Sequence, residues 1–233
     1  MKKFVLFFLI ILLNSCCGFQ GYNYSPDAQI RKEIVKRMSL FDEFHITGIA
    51  NLQIDEFELK SSFSCRKKDD KFRIDFLSGG VFGLSPKPKL QIVNNDSLNI
   101  FIPDQSVVYC FSNLFVNTMQ NFRTAVLQAD IQTNGGGDII LEVNKQSHLI
   151  FNRNYDLLSI EQGEIGIYFV KYKDYLPNEI TVKYLGKTTA TFSVDRWKLV
   201  EQRDDSFDLQ IPAGTQKIDD ISKMKRFFNK VSR

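Results

Sequence analysis

The sequence predicts an α+β protein in which helices plug the concave face of a curled antiparallel half-barrel of about 10–11 strands. Three observations support this fold class. Short runs of alternating apolar and polar residues follow one another through most of the chain, the turns between them are short, and three other segments carry apolar residues at helical spacing. Short turns favour antiparallel neighbours. The strands could also close into a barrel, but three amphipathic helices beside one sheet favour the half-barrel.

The amino terminus has the character of a secretory signal. Residues 4–13 are ten consecutive apolar residues after two lysines, and this run is too short for a membrane span, which needs about 20. Residues 13–16 (Leu-Asn-Ser-Cys) resemble a bacterial lipobox, which implies cleavage before Cys16 and acylation of its sulfur. Plain secretion with Cys16 and Cys17 as ordinary thiols is the alternative. Because Cys17 rather than an aspartate follows, the resemblance implies that no signal for retention in the inner membrane is present, and the outer membrane is the default location.

We therefore divide the chain into a lipoprotein signal peptide (1–15), a tether (16–27) and a single domain (28–233). The domain begins with apolar residues at helical spacing, which predict a helix over 28–44. The same spacing predicts a second helix over 113–127 and a third over 219–231. Between them, alternation predicts strands at 46–54, 57–65, 72–76, 90–93, 98–102, 106–111, 139–143, 148–151, 157–162, 165–172, 179–184, 189–199 and 207–211.

Patterns typical of catalysis are absent from the sequence. It contains no GxSxG, P-loop or HExxH motif, and its two histidines stand apart, so we expect neither an enzyme nor a metal or cofactor site. A net charge of +3 is too small to indicate nucleic-acid binding. Cys65 and Cys110 lie on predicted strands and are equally compatible with a disulfide and with two buried thiols.

Apolar residues are the more informative feature, because the chain contains 21 Phe. We expect an apolar cavity between the sheet and the helices. Its predicted lining is Phe41, Phe57, Leu59, Phe63, Phe72, Ile74, Phe76 and Phe122. Val81, Phe82 and Leu84 lie in a glycine-containing connection, where large apolar side chains are unusual. Either they fold back over the sheet as a lid, or they touch a membrane or an incoming cargo.

Four segments, taken in order, resemble the bacterial lipoprotein localisation family of LolA and LolB. They are Phe72–Phe76 (FRIDF), Ser97–Tyr109, Tyr172–Ile180 (YKDYLPNEI) and Phe207–Gly214 (FDLQIPAG). The resemblance implies an incomplete antiparallel barrel that holds acyl chains. Because LolB is itself an outer-membrane lipoprotein with an apolar loop at the position of residues 80–84, the lipobox points to the LolB side of the family.

The resemblance implies a monomeric, lipid-anchored protein that faces the periplasm and binds acyl chains while it receives or inserts lipoproteins. Its expected partners are the membrane, reached through acylated Cys16, the acyl chains of lipoproteins, and a periplasmic LolA-like carrier. The alternative is an accessory or structural outer-membrane lipoprotein of the same fold that acts through a protein partner.

Overall fold

A computed structural model describes residues 26–54, 57–69, 71–78, 86–95, 97–112, 127–199 and 207–219. Helix α1 spans Pro26–Met38, and short 3-10 helices span Ser39–Phe41 and Pro103–Gln105. The strands are β1 (Glu43–Ile54), β2 (Phe57–Lys68), β3 (Lys71–Leu77), β4 (Pro88–Asn94), β5 (Ser97–Ile102), β6 (Val107–Ser112), β7 (Asp130–Thr133), β8 (Ile139–Asn144), β9 (Ser147–Phe151), β10 (Leu157–Gln162), β11 (Ile165–Lys173), β12 (Leu176–Tyr184), β13 (Lys187–Lys198) and β14 (Gln216–Ile218). None of the described helices is long and apolar enough to cross a membrane.

All fourteen described strands belong to one open sheet in the order β14-β6-β5-β4-β3-β2-β1-β13-β12-β11-β10-β9-β8-β7. The pairs are antiparallel except β14 with β6, which is parallel. The predicted fold class is therefore confirmed. Every strand range predicted from alternation, except 207–211, corresponds to a described strand. The two strands without a predicted counterpart, β7 and β14, are only 4 and 3 residues long, too short for an alternating pattern to show.

The sheet consists of two meanders that meet at one pair of strands. β1 to β6 follow one another in space, as do β7 to β13, and β1 pairs with β13 in the middle of the sheet. We call this β1–β13 pair the seam. Because side chains alternate along each strand, the register at the seam gives the whole sheet one inner and one outer face.

The core lies on the inner face. Ile46, Cys65 and Ile74 are directly opposite one another on β1, β2 and β3, and all three are buried. The same hydrophobic cluster extends through β8 to β13 and includes Ile34 and Met38 of α1. Burial of this continuous apolar surface is the main force that holds the fold together.

Helix α1 packs on this core and is tied to the second meander. The guanidinium of Arg31 donates a hydrogen bond to the carbonyl oxygen of Ala129 at 2.6 Å, and Arg37 lies 4.0 Å from the ring centroid of Tyr175. The predicted helix over 28–44 is too long, because Phe44 belongs to β1. From residue 43 the burial pattern has the period of a strand, with Phe44 buried and His45 half-buried.

Of the three helices predicted to plug the concave face, the first is described as α1. The predicted helices over 113–127 and 219–231 lie outside the described residues except for residues 127 and 219, so that part of the fold stays a prediction.

The residues at 207–208 lie against the outer face of the sheet at β3. Phe207 is fully buried, and Arg73 donates a hydrogen bond to the carbonyl oxygen of Asp208 at 2.9 Å. Arg73 is itself oriented by the carboxylate of Asp75, at 2.9 Å. The strand predicted at 207–211 is wrong, because here a side chain rather than a neighbouring strand bonds the backbone.

Cys65 and Cys110 are free thiols. Cys65 faces inward on β2, opposite Ile74, whereas Cys110 pairs with Asn99 on the outer face of β6. Four strand spacings of about 4.8 Å separate β2 from β6, so a disulfide between them is sterically impossible.

Candidate functional site

An apolar cavity of about 50 Å³ lies on the inner face on both sides of the seam. Its lining is entirely apolar or aromatic apart from one thiol. The residues are Phe41, Phe44, Ile46, Phe63, Cys65, Ile74, Phe169, Ile180, Phe192 and Trp197. Phe41 comes from the 3-10 helix after α1, and the others come from β1–β3 and β11–β13.

The seam is what brings these residues together. Ile46 of β1 is directly opposite Trp197 of β13, and Ile180 of β12 is directly opposite Phe192 of β13. Each meander therefore contributes one wall, although the two walls are far apart in the sequence. A cavity between them exists only when β1 and β13 are paired in this register.

Aromatic side chains shape the cavity. The ring of Trp197 lies 5.7 Å from that of Phe41 and 5.4 Å from that of Phe44, and the rings of Phe63 and Phe192 are 5.3 Å apart. These separations are typical of edge-to-face pairs. The indole Nε1 of Trp197 donates a hydrogen bond to the carbonyl oxygen of Pro177 at 2.9 Å. The one polar atom of this ring is therefore satisfied, and the ring can present an apolar surface.

The cavity walls carry no charge. Burial raises the pKa of the Cys65 thiol, and the nearby Asp75 carboxylate raises it further, so the thiol is neutral. Lys67 is the next inward-facing residue of β2 and is fully buried, with its ammonium donating to the carbonyl oxygen of Asp42 at 3.1 Å. Lys67 lies outside the lining, so its charge is held away from the cavity.

Three of the predicted lining residues meet at this cavity: Phe41, Phe63 and Ile74. Phe72 and Phe76 are fully buried in the same core but do not line it. Phe72 is opposite Lys67 and Phe76 is opposite Phe63, one step along β3 on either side of Ile74.

The other predicted residues contribute less. Leu59 only packs against the edge of the core. The side chain of Phe57 and residues Cys16, Val81, Phe82, Leu84 and Phe122 lie outside what the structure describes, and their roles stay predictions.

Sequence reasoning missed seven lining residues: Phe44, Ile46, Cys65, Phe169, Ile180, Phe192 and Trp197. Cys65 had a visible signal, since it shares the alternation of Phe63. Phe44 was not expected on a strand, because the predicted helix over 28–44 includes it. The residues of β11–β13 had no signal, because alternation identifies the face on which a side chain lies but not the strand beside it.

Within the described residues, no group of three or more His, Cys, Asp or Glu side chains could hold a metal ion. His45 lies on the outer face, where its Nε2 is 2.9 Å from the hydroxyl oxygen of Ser64. His148 is on β9, opposite Glu142 and Glu161.

No protein-family model and no curated protein matches the sequence. Solved structures do match. A DUF1329 family protein from Desulfovibrio piger has a TM-score of 0.54 at 12% identity, over 79% of this chain and 98% of that one. A domain from Vibrio parahaemolyticus named for outer membrane lipoprotein sorting has a TM-score of 0.53 at 10% identity, over 77% and 95%.

A LolA superfamily protein from Nitrosomonas europaea also matches, with a TM-score of 0.48 at 12% identity, over 72% of this chain and 90% of that one. At such low identities, the likeness to the Desulfovibrio and Vibrio proteins concerns the fold. The resemblance found in the sequence is therefore confirmed at the level of the fold, which the protein shares with the Vibrio domain and with the Desulfovibrio protein.

Proposed function

We propose that the protein binds the acyl chains of lipids or lipoproteins in the apolar cavity at the seam, which we call the seam cavity, as a LolB-like lipoprotein of the outer membrane. The observation that carries the proposal is the lining, which consists of nine apolar or aromatic side chains and one neutral thiol. The indole nitrogen of Trp197 is already hydrogen-bonded. Such a surface can exchange its own contacts for those of a methylene chain without leaving a buried polar group that lacks a hydrogen bond. Transfer between two apolar sites requires no nucleophile, so the proposal includes no enzymatic step and no cofactor.

The size of the cavity constrains how an acyl chain would enter. At about 50 Å³ it is smaller than typical ligand pockets of about 300–1,000 Å³. Binding a whole chain therefore requires lining side chains to separate. Phe41 is the best placed to move, because it belongs to a three-residue 3-10 helix rather than to the sheet.

The proposal includes a lipid anchor and a membrane-facing loop. The sequence around Cys16 supports acylation there and location on the periplasmic side of the outer membrane. Val81, Phe82 and Leu84 would touch the membrane or the cargo, and a periplasmic LolA-like carrier would deliver that cargo to a monomeric receptor. The fold shared with the lipoprotein-sorting domain supports a partnership of this kind.

The alternative is an accessory outer-membrane lipoprotein with a packed interior that acts through a protein partner. The small volume of the cavity favours it, because a nearly filled core refuses flexible chains.

Trp197 offers a direct test, because it is the only tryptophan in the chain and lines the cavity. A brominated fatty acid titrated into the purified protein is expected to quench its emission in a saturable way. Cys65→Leu places a larger apolar side chain in the cavity and is expected to weaken binding at least about tenfold. Cys110→Leu is the matched control, since the same change on the outer face leaves the cavity intact.

Two outcomes would contradict the proposal. One is the absence of saturable quenching in the unmodified protein. The other is equal quenching in the Cys65→Leu and unmodified proteins, which would place the fatty acid outside the seam cavity. Either result would leave the accessory lipoprotein as the better interpretation.

A further inference from the structure

Six residues form a compact grid on the outer face of the three strands around the seam. We call this set the outer grid: Lys198 and Arg196 of β13, His45 and Thr47 of β1, and Arg66 and Ser64 of β2. His45 is directly opposite Lys198 on one side and Arg66 on the other. Thr47 is likewise opposite Arg196 and Ser64.

The outer grid contains three permanent cations and no acid. Arg66 is moreover directly opposite Arg73 of β3, and like charges directly opposite each other destabilise a sheet. Within the part of the chain that the structure describes, Arg66, Arg196 and Lys198 form no hydrogen bond or ion pair through their side chains. Arg196 and Lys198 are exposed and Arg66 is half-buried, so solvent reaches all three.

The nearest acids do not neutralise these cations. Glu43 lies two residues before His45 on the outer face of β1, but it is directly opposite Lys68, a cation outside the grid. Asp75 is opposite Ser64 on β3, but its carboxylate already accepts hydrogen bonds from Arg73 at 2.9 Å and from the side-chain amide of Gln91 at 2.6 Å. Asp195 is exposed at the bulge of β13, between residues that pair with Gly48 and Thr47. One exposed carboxylate beside three cations leaves a local excess of positive charge.

The pKa of His45 reflects this excess of positive charge. Burial lowers the pKa of its imidazole, and the charges of Arg66 and Lys198 lower it further, against a smaller opposite effect of Asp75. The grid is therefore a place where a positive charge is disfavoured and a negative charge is favoured.

We propose that the outer grid binds the phosphate groups of an anionic membrane surface. The grid lies on an open sheet face, where two strand spacings of about 4.8 Å separate Lys198 from Arg66. A single ion cannot be surrounded on such a face, whereas long flexible side chains in a plane can each reach a different phosphate of a lipid layer. The hydroxyl of Thr47 adds a hydrogen-bond donor within the same plane.

The position of the grid gives this contact a structural consequence. Ile46, Cys65 and Trp197 alternate with grid residues on the same strands and line the cavity on the inner face. A membrane bound by the grid would therefore lie against the strands that form the cavity. The inference does not require the cavity to bind acyl chains, since it depends on the outer face alone.

Vesicle binding tests the inference on the full chain carrying Cys16→Ser, which removes any acyl anchor. Partition is measured on phosphatidylcholine vesicles and on vesicles of phosphatidylcholine with phosphatidylglycerol, and the ratio of the two isolates the effect of lipid charge. Each basic residue near an anionic surface contributes about fivefold. We expect Arg66→Gln with Lys198→Gln to lower the ratio about 30-fold.

The matched control is Lys60→Gln with Lys145→Gln, which removes the same charge at exposed positions outside the grid. The emission of Trp197, whose neighbour in sequence is Lys198, checks that β13 stays intact in each variant. Inorganic phosphate is added at constant ionic strength, and it is expected to displace nothing.

Three results would overturn the proposal. The first is an equal loss of binding in the control and grid variants. The second is displacement by inorganic phosphate at constant ionic strength, which would indicate a site for a single ion. The third is binding of polyglutamate through the grid without preference for anionic vesicles, which would indicate an acidic protein partner.

Discussion

Gly48 lies on β1 at the seam, where a β-carbon would be 2.0 Å from the carbonyl oxygen of Ser193 on β13. Ordinary contact begins at 3.4 Å, so Gly48→Ala requires these atoms to separate by about 1.4 Å. The obstacle is backbone and cannot rotate away. Overpacking of a core lowers the free energy of unfolding by about 1–3 kcal/mol. A clash with backbone atoms that cannot move aside should lower it by an amount at or above the upper end of this range. We expect a loss of about 3 kcal/mol, which lowers Tm by about 6–12 °C at this chain length.

Urea and thermal unfolding of three glycine variants provide the measurement. At Gly166 the added carbon would meet the side chain of Tyr168 at 2.7 Å, and at Gly135 nothing lies within 4 Å. Gly166→Ala should cost less than Gly48→Ala, because a ring can shift. Gly135→Ala should stay within about 0.5 kcal/mol of the unmodified protein. A Gly48→Ala protein within about 1 kcal/mol of the unmodified protein would refute the close approach of the two strands at the seam.

Three further predictions concern other parts of the chain. Since the folded state lowers the pKa of His45 below its usual 6.5, the unfolded chain takes up a proton first, and the free energy of unfolding decreases as pH falls below about 6.5. The free energy of unfolding of His45→Gln should therefore decrease less between about pH 7.5 and 5.5 than that of the unmodified protein. An equal decrease in the two proteins would contradict this assignment to His45. Cys16→Ser should release the protein from the membrane fraction or block its processing, and normal acylation of that variant would exclude Cys16 as the anchor. Replacing Phe82 and Leu84 together by Glu should weaken membrane association of the unacylated protein while leaving the unfolding transition nearly unchanged; a variant that unfolds would instead identify the loop as a lid over the core.

Much of the first meander could be predicted from local alternation. Phe72, Ile74 and Phe76 face inward as their spacing indicates, and all three are buried. The signal is clear because each apolar residue is separated from the next by Arg73 or Asp75, which the outer face accommodates through their mutual ion pair. Local sequence is enough to identify such a strand because its inner face requires apolar side chains while its outer face accepts polar ones.

The cavity could be predicted only in part, because it depends on which strands are neighbours. Nothing near Trp197 in the sequence indicates that it lies opposite Ile46. The residues after α1 fit both a helical and a strand pattern. Phe41 and Phe44 fit a helical stripe when taken with Met38, although Phe44 also begins the alternation of β1, and only packing against Trp197 decides between the two.

The seam also affects the order in which the chain can fold. Its register joins residues about 150 positions apart, whereas most other pairs in the sheet join strands linked by a short turn. During synthesis, β1 to β6 can form a local meander long before β13 emerges, and until then β1 presents an unpaired edge. The chain therefore passes through a period in which two incomplete sheets are exposed to other strands. A chaperone that shields the edge of β1 during that period would protect the protein at its most vulnerable point.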